Sequence, residues 1–270
     1  MWKWEAENPK AVIVMIHGAM EHHGRYGWLI EMFRGIGFHC IMGDLPGQGL
    51  AATTRGSKKG HIDSFNEYIY EVKTWIYEAY KYDLPVFVLG HSMGGLIAIR
   101  LLQEDDMKVA GMILSGPCLG LVQKPNKALN AVSHGLNFVT PQIKVDSGIR
   151  IELATRNEEV RKLDVNDSLY VTKVSVRWYR ELVRSMEIAF EEATNLQDVP
   201  VLVLQGGGDL IVDKFKVKEW FNLTNFSEKW FKEFPVLYHE IFNEPEREEV
   251  FDYAKDFVFR QLKSIGYIVD

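Results

Sequence analysis

The sequence predicts an α/β fold with a mostly parallel central sheet flanked by helices, and three features predict it. Short apolar runs such as Ala11-Val12-Ile13-Val14-Met15-Ile16 and Val86-Phe87-Val88-Leu89 are unbroken by polar residues, as strands buried on both faces require. These runs alternate with longer segments of helical periodicity, the pattern of strand–helix–strand units. The third feature is Gly90-His91-Ser92-Met93-Gly94, a G-x-S-x-G sequence between an apolar run and a helical stretch over 95–102. Strand, sharp turn and helix in that order lift a serine hydroxyl above the carboxyl edge of a parallel sheet. Glycines flank the serine because so tight a turn strains its backbone and leaves no room for side chains two positions away.

The remaining elements follow in order. Residues 2–6 alternate enough for a short edge strand. Ala11–Ile16 is the first buried strand, and its exit, His17-Gly18-Ala19-Met20-Glu21-His22-His23-Gly24-Arg25-Tyr26, is a loop holding three histidines. A helix over 28–36 and a strand over 38–43 lead to the Gly/Pro loop 44–49. After the polar loop 58–63, Ser64 and Glu67 have capping-box spacing for a helix running to about Tyr80. The serine strand and its helix come next, then a strand over 109–114. There the alternation stops. Residues 117–195 read as several helices joined by polar loops, inserted into a core made of 1–116 and 196–270. The alternation resumes with a strand at 201–204, its exit loop 205–209, the helix Lys214–Leu223, the strand Lys229–Phe234 and a loop reaching His239. Asn243 and Glu246 are spaced to cap a last helix, with Pro245 in its first turn.

At 270 residues the chain suits one domain with an insertion, and 47% apolar and 25% charged residues are ordinary for a globular protein. A net charge of −6 opposes a nucleic-acid partner, which needs a basic surface. No apolar run is long enough to cross a bilayer, and residues 1–7 contain no signal core, so the expectation is a mature start and a cytoplasmic protein. Cys40 and Cys118 are the only cysteines and read as free thiols in a reducing compartment. His22, His23, His61 and His91 lack a third ligand at recognisable spacing, so neither metal nor cofactor is expected.

A serine hydroxyl is a weak nucleophile and needs a base oriented by a third group. In this architecture the order along the chain is serine, acid, histidine. Of eight histidines, six precede or adjoin Ser92 and His134 lies in the insertion, which leaves His239 as the base. Asp209, at the mouth of the strand 201–204, is the favoured acid. Asp213 is its rival and is also placed to cap the helix beginning at Lys214. The oxyanion needs two N–H groups: Met93, following the nucleophile, and Ala19, in the loop after the first buried strand.

With these residues placed, the chain resembles the α/β-hydrolases, and within them the branch of monoglyceride lipases and lysophospholipases, over essentially its whole length. His17-Gly18-Ala19 with Glu21 and Gly24-Arg25-Tyr26 is similar to that branch's HGAGEH-x-GRY loop, and Gly90 to Gly95 to its GHSMGG elbow. Leu204-Gln205-Gly206 leading to Asp209, and Tyr238-His239 followed by Glu244-Pro245-Glu246, resemble its acid and histidine loops. The resemblance implies a Ser92–His239–Asp209 triad, an oxyanion hole at Ala19 and Met93, and a helical cap inserted after the sixth core strand to cover an acyl channel. Two residues depart from the pattern. Met20 stands where the branch has glycine. Phe242 stands where the animal enzymes carry a histidine facing glycerol, which leaves a phospholipid-type alcohol open.

The insertion bears on substrate. Over 172–190, Val174, Trp178, Leu182 and Met186 form an apolar stripe that either packs on the core or lines an acyl site, with Trp178 the candidate contact. Lys173, Arg177, Arg180 and Arg184 form a basic one. The insertion holds eleven basic and ten acidic residues, net +1 against −7 elsewhere, so its basic helix is either solvated or set against anionic lipid at a membrane surface. Glu21 and Arg25 either pair with each other or hydrogen-bond the substrate's alcohol. The expected activity is hydrolysis of single-chain lipid esters, lysophospholipid or monoacylglycerol, without cofactor. Short-chain ester hydrolysis, acyl transfer or aminopeptidase chemistry on the same triad, and a non-catalytic binding scaffold, are the alternatives.

Overall fold

The computed structural model describes residues 1–54, 58–123 and 127–267. In chain order the elements are β1 (Trp2–Trp4), β2 (Ala11–Ile16), α1 (Gly27–Gly35), β3 (Phe38–Met42), α2 (Asn66–Tyr80), β4 (Val86–His91), α3 (Met93–Glu104) and β5 (Gly111–Ser115). Then come α4 (Lys127–Val139), β6 (Lys144–Asp146), α5 (Ile151–Ala154), α6 (Glu158–Val165), β7 (Lys173–Ser175) and α7 (Val176–Glu191). The chain closes with β8 (Val201–Gly206), α8 (Lys214–Leu223), β9 (Lys229–Phe234) and α9 (Arg247–Ser264).

Seven strands form one sheet in the order β1-β3-β2-β4-β5-β8-β9. β1 runs antiparallel to β3 at the edge and every other pair is parallel. The unbroken apolar runs have their reason here. Val12, Val14 and Ile16 of β2 face the core under α2 and α3, whereas Ala11, Ile13 and Met15 face the core under α1 and α9. All six are removed from solvent. A strand buried on both faces cannot alternate polar with apolar residues.

Between β5 and β8 the chain leaves the sheet. β6 and β7 pair antiparallel with each other, and Trp178, Leu182 and Met186 of α7 join the same hydrophobic core as Val72 of α2 and Ile97 of α3. The excursion follows the fifth strand of this sheet, not the sixth, because the chain before Ala11 contributes the single strand β1. The stretch predicted as one helix over 172–190 begins as β7: Val174 pairs with Val145, and only at Ser175, whose Oγ accepts the Trp178 N–H, does the helix start. The last helix also starts late, at Arg247 after Pro245, and Glu246 makes no side-chain cap bond. Asn243 donates instead to Glu240. At Ser64 half of the expected box forms: Glu67 Oε1 accepts the Ser64 N–H at 3.0 Å, while Ser64 Oγ takes the N–H of Asn66.

Candidate active site

Ala19, Ser92, Asp209 and His239 lie at the carboxyl ends of β2, β4, β8 and β9, the rim where parallel sheets bind ligands, whereas Trp178 lies on α7. Ser92 joins β4 to α3 with φ 53° and ψ −117°, a conformation rare for a residue with a side chain. A Cβ on Gly90 would strike the Gly94 carbonyl, and one on Gly94 the carbonyl of Ile16, so close backbone approach accounts for both glycines. The Ser92 N–H donates to Ser115 O and its carbonyl accepts from Cys118 N, each at 2.9 Å, which clamps the turn against the exit of β5.

Ser92 Oγ lies 2.8 Å from His239 Nε2, and His239 Nδ1 lies 2.8 Å from Asp209 Oδ2. A carboxylate can only accept, so Nδ1 carries the ring proton and Nε2 accepts from the hydroxyl. Asp209 is held in turn: Oδ1 accepts the N–H groups of Ile211 and Val212 at 2.9 and 2.8 Å, and Oδ2 accepts from Gln205 Nε2 at 3.0 Å. Burial favours its neutral form, but His239 and these hydrogen bonds outweigh burial and hold the carboxyl below its usual range. Burial likewise opposes imidazolium at His239, yet Asp209, with help from Glu240 and Glu21, keeps its pKa above the ordinary value. Asp213 stays apart from this group and caps α8, accepting from Phe215 N at 3.0 Å.

Ala19 borders the same cavity as Ser92, and no acceptor among the described residues takes the N–H of Ala19 or of Met93. The loop bearing Ala19 is pinned on both sides. His17, buried and held neutral with its pKa lowered to about 4 by burial, accepts the Leu45 N–H at 2.9 Å while its Nδ1 donates to Gly18 O. Met20 donates to Gln48 Oε1, and its carbonyl accepts from Val171 N at 3.0 Å. Met20 has φ 70°. The position where the resembling branch has glycine is one that glycine fills without strain, and here a buried methionine occupies it.

Glu21 and Arg25 are 3.1 Å apart, buried, and absent from the wall of the main cavity. Of the two readings from sequence, the pairing is the arrangement observed. Arg25 also binds Asp164 of α6 and both oxygens of Glu240. Burial pushes the Glu21 carboxyl up to about 7, whereas at Glu240 Arg25 overcomes burial and holds the pKa at about 2. His91 packs its ring 4.8 Å from that of His239, and burial lowers its pKa to about 3. Among the described residues no group of three His, Cys, Asp or Glu side chains is gathered as a metal site.

Above Ser92 opens a cavity of about 510 Å³, walled by Ala19, Met20, Leu136, Ile149, Leu153, Val174, Trp178 and Leu182 among others, with Asp146 the one charged lining residue among those described. Part of the predicted apolar stripe has two faces of contact. Trp178 and Leu182 pack on the core and also face the cavity, and Trp178 Nε1 donates to Tyr68 Oη at 2.8 Å. The basic stripe is largely engaged within the chain. Arg177 donates to Asn137 O and Arg180 to Asn130 Oδ1, both on α4, and Arg184 pairs with Glu187 and Glu191. Sequence reasoning missed Gln48, Asp164, Gln205 and Glu240. Only Gln205 carried a local signal, its place in the strand exit before Asp209.

Residues 7–246 match the Hydrolase_4 family model, described as "Serine aminopeptidase, S33". The chain is 57% identical to a Bacillus subtilis protein named "Phospholipase YtpA", over 95% of this chain and 98% of the relative. It is 27% identical to the "Monoacylglycerol lipase" of Mycolicibacterium smegmatis, over 94% and 90%. Among solved structures, the Paleococcus ferrophilus monoacylglycerol lipase superposes with a TM-score of 0.85 at 30% identity, covering 96% of this chain and 98% of that one. The same mostly parallel sheet flanked by helices underlies both folds, and the chain belongs to the Hydrolase_4 family of α/β-hydrolases.

Proposed function

We propose that this protein is a serine hydrolase cleaving the carboxylic esters of single-chain lipids, lysophospholipid or monoacylglycerol. The observation that carries the reading is the continuous hydrogen-bonded line Ser92–His239–Asp209 at the base of a largely apolar cavity. In this mechanism His239 takes the Ser92 proton as Oγ attacks the ester carbonyl. The N–H groups of Ala19 and Met93 hold the oxyanion, and Asp209 stabilises the imidazolium. The alcohol leaves with the proton from His239, and water, deprotonated by the same ring, releases the fatty acid. The names of the relatives, a phospholipase and monoacylglycerol lipases, support ester hydrolysis on lipids.

In this reading residues 117–195 are a cap over the acyl site. Exposed Val132 and Val145 at the cavity border, with Phe138 and Val139 at the end of α4, are the part of the cap that meets a lipid surface. The protein then acts in a reducing, cytoplasmic compartment, peripheral to the membrane, consistent with two buried free thiols. Glu21, which the sequence offered as a rim carboxylate, is buried against Arg25 and does not line the main cavity, so it is not placed to hold the substrate amine that the aminopeptidase chemistry of the family's description requires.

The test is turnover of monoacylglycerols, lysophospholipids, diacyl lipids and short p-nitrophenyl esters by wild type and Ser92→Ala. Single-chain lipids are expected to be the best substrates, with a loss of at least about a thousandfold in the mutant. Equal turnover by the mutant would remove the serine mechanism, and turnover of short esters alone would remove the lipid assignment.

A further inference from the structure

A second apolar hollow, of about 520 Å³, lies between α7, residues 119–121, Asn130 of α4 and Lys216 of α8, and Ser92 is not in its wall. Its wall is Leu119, Tyr179, Val183, Met186 and Phe190, the α7 members at helical spacing on the stripe adjoining Trp178 and Leu182. Leu121 and Tyr179 line both this hollow and the first cavity. Cys118 of the first cavity touches Met186 of the second, sulfur to sulfur, at 3.9 Å. No hydrogen bond among the described residues fixes the Tyr179 hydroxyl, so its ring can turn without breaking one.

The charges around the hollow fix what it suits. Glu187 and Glu191 border it and share Arg184, and Lys216 is paired with Glu219 at 2.6 Å. Among the described residues no unpaired cation lines the hollow, and its two carboxylates oppose the anionic end of a lipid but not a methyl end.

Building on the ester-hydrolase reading, we propose that this hollow is a distal compartment for the far end of a long acyl chain whose ester lies at Ser92. The chain passes between Leu121 and Tyr179. The compartment, rather than the first cavity alone, then sets the preference for long chains. Each methylene it covers adds roughly fourfold to kcat/KM.

The test compares p-nitrophenyl palmitate with p-nitrophenyl butyrate in wild type, Val183→Trp and Glu187→Trp; both substitutions fill the second hollow and neither residue lines the first. The palmitate-to-butyrate ratio of kcat/KM is expected to fall about tenfold or more. An unchanged ratio in both variants overturns the proposal, as does a wild type that hydrolyses butyrate but not palmitate esters. If Val183→Trp loses both esters equally it has misfolded, and Glu187→Trp, a change at a half-exposed position, decides. Calorimetric binding of monopalmitoylglycerol to Ser92→Ala, with and without Glu187→Trp, reads the compartment without turnover. Affinity weakened about tenfold supports it and equal affinity overturns it. A wild type with no ester turnover that still shows this binding difference sinks the esterase reading and spares the compartment.

Discussion

Arg25 and Glu240 share two hydrogen bonds, Nη1 to Oε1 at 3.0 Å and Nη2 to Oε2 at 2.9 Å, one residue beyond His239. The same guanidinium holds Asp164 of α6 and Glu21 of the loop bearing Ala19. One side chain thus ties the histidine loop, the proposed oxyanion loop and the proposed cap. Replacing Arg25 by Met leaves buried carboxylates without their cation, which costs about 3–5 kcal/mol. Arg25→Lys keeps the charge but loses the planar fork that meets two carboxylates at once. We expect a lower midpoint in denaturant titration for both variants, the larger drop in Arg25→Met, and reduced kcat in Arg25→Lys under conditions where it stays folded.

That hub shows where reading a sequence stops. The elbow at Ser92, the buried strands and the order of Ser92, Asp209 and His239 were legible because each is written in contiguous residues or in chain order. Arg25 meets Asp164 across 139 positions and Glu240 across 215, and no periodicity reports such a contact. β6 and β7 escaped for a related reason: three-residue strands far apart in sequence lack both the length and the adjoining turn that announce a hairpin. Glu21 and Arg25, four residues apart, were visible as a pair. What burial does to them was not.

The acid limb of activity should report on Glu240. Hydrolysis by the proposed mechanism needs His239 neutral, and Asp209 with Glu240 and Glu21 sets its pKa above 6.5. Activity is therefore lost as pH falls through a midpoint above that value. Glu240→Gln removes one of the negative charges favouring imidazolium, so the midpoint in a kcat/KM profile should move to lower pH. A purely structural role for Glu240 would change the height of the profile and leave its midpoint in place.

Glu21 and Glu240 flank one guanidinium yet are shifted in opposite directions, to about 7 and about 2 from 4.5. Their contributions to stability consequently have opposite signs with pH. A depressed carboxyl such as Glu240 stabilises above pH 4.5, and that contribution is lost as pH falls through about 2. A raised one such as Glu21 favours the fold below pH 4.5, and its contribution is lost as pH rises through about 7. Glu21→Gln mimics the protonated form and escapes that loss. Thermal melts should show the variant close to wild type at pH 4.5 and exceeding it at pH 8, by roughly 3 kcal/mol at most.

Met20 tests the shape of the loop beneath the proposed oxyanion hole. Its side chain is buried, so truncation to Ala costs about 2–5 kcal/mol in lost packing. Its φ of 70° adds about 1–2 kcal/mol of left-handed strain, which any residue with a Cβ bears and glycine does not. Met20→Gly loses the same packing but relieves the strain. In most loops and all helices alanine is the more stable of the two. Here the order should reverse, with Met20→Gly unfolding at higher denaturant than Met20→Ala by about 1 kcal/mol and both below wild type. Both variants also widen the cavity beside Ser92, so esters of bulkier alcohols should gain relative to small ones. An Ala variant more stable than the Gly variant would mean the loop relaxes out of the left-handed conformation, and the proposed role of the Ala19 N–H in an oxyanion hole would be weakened with it.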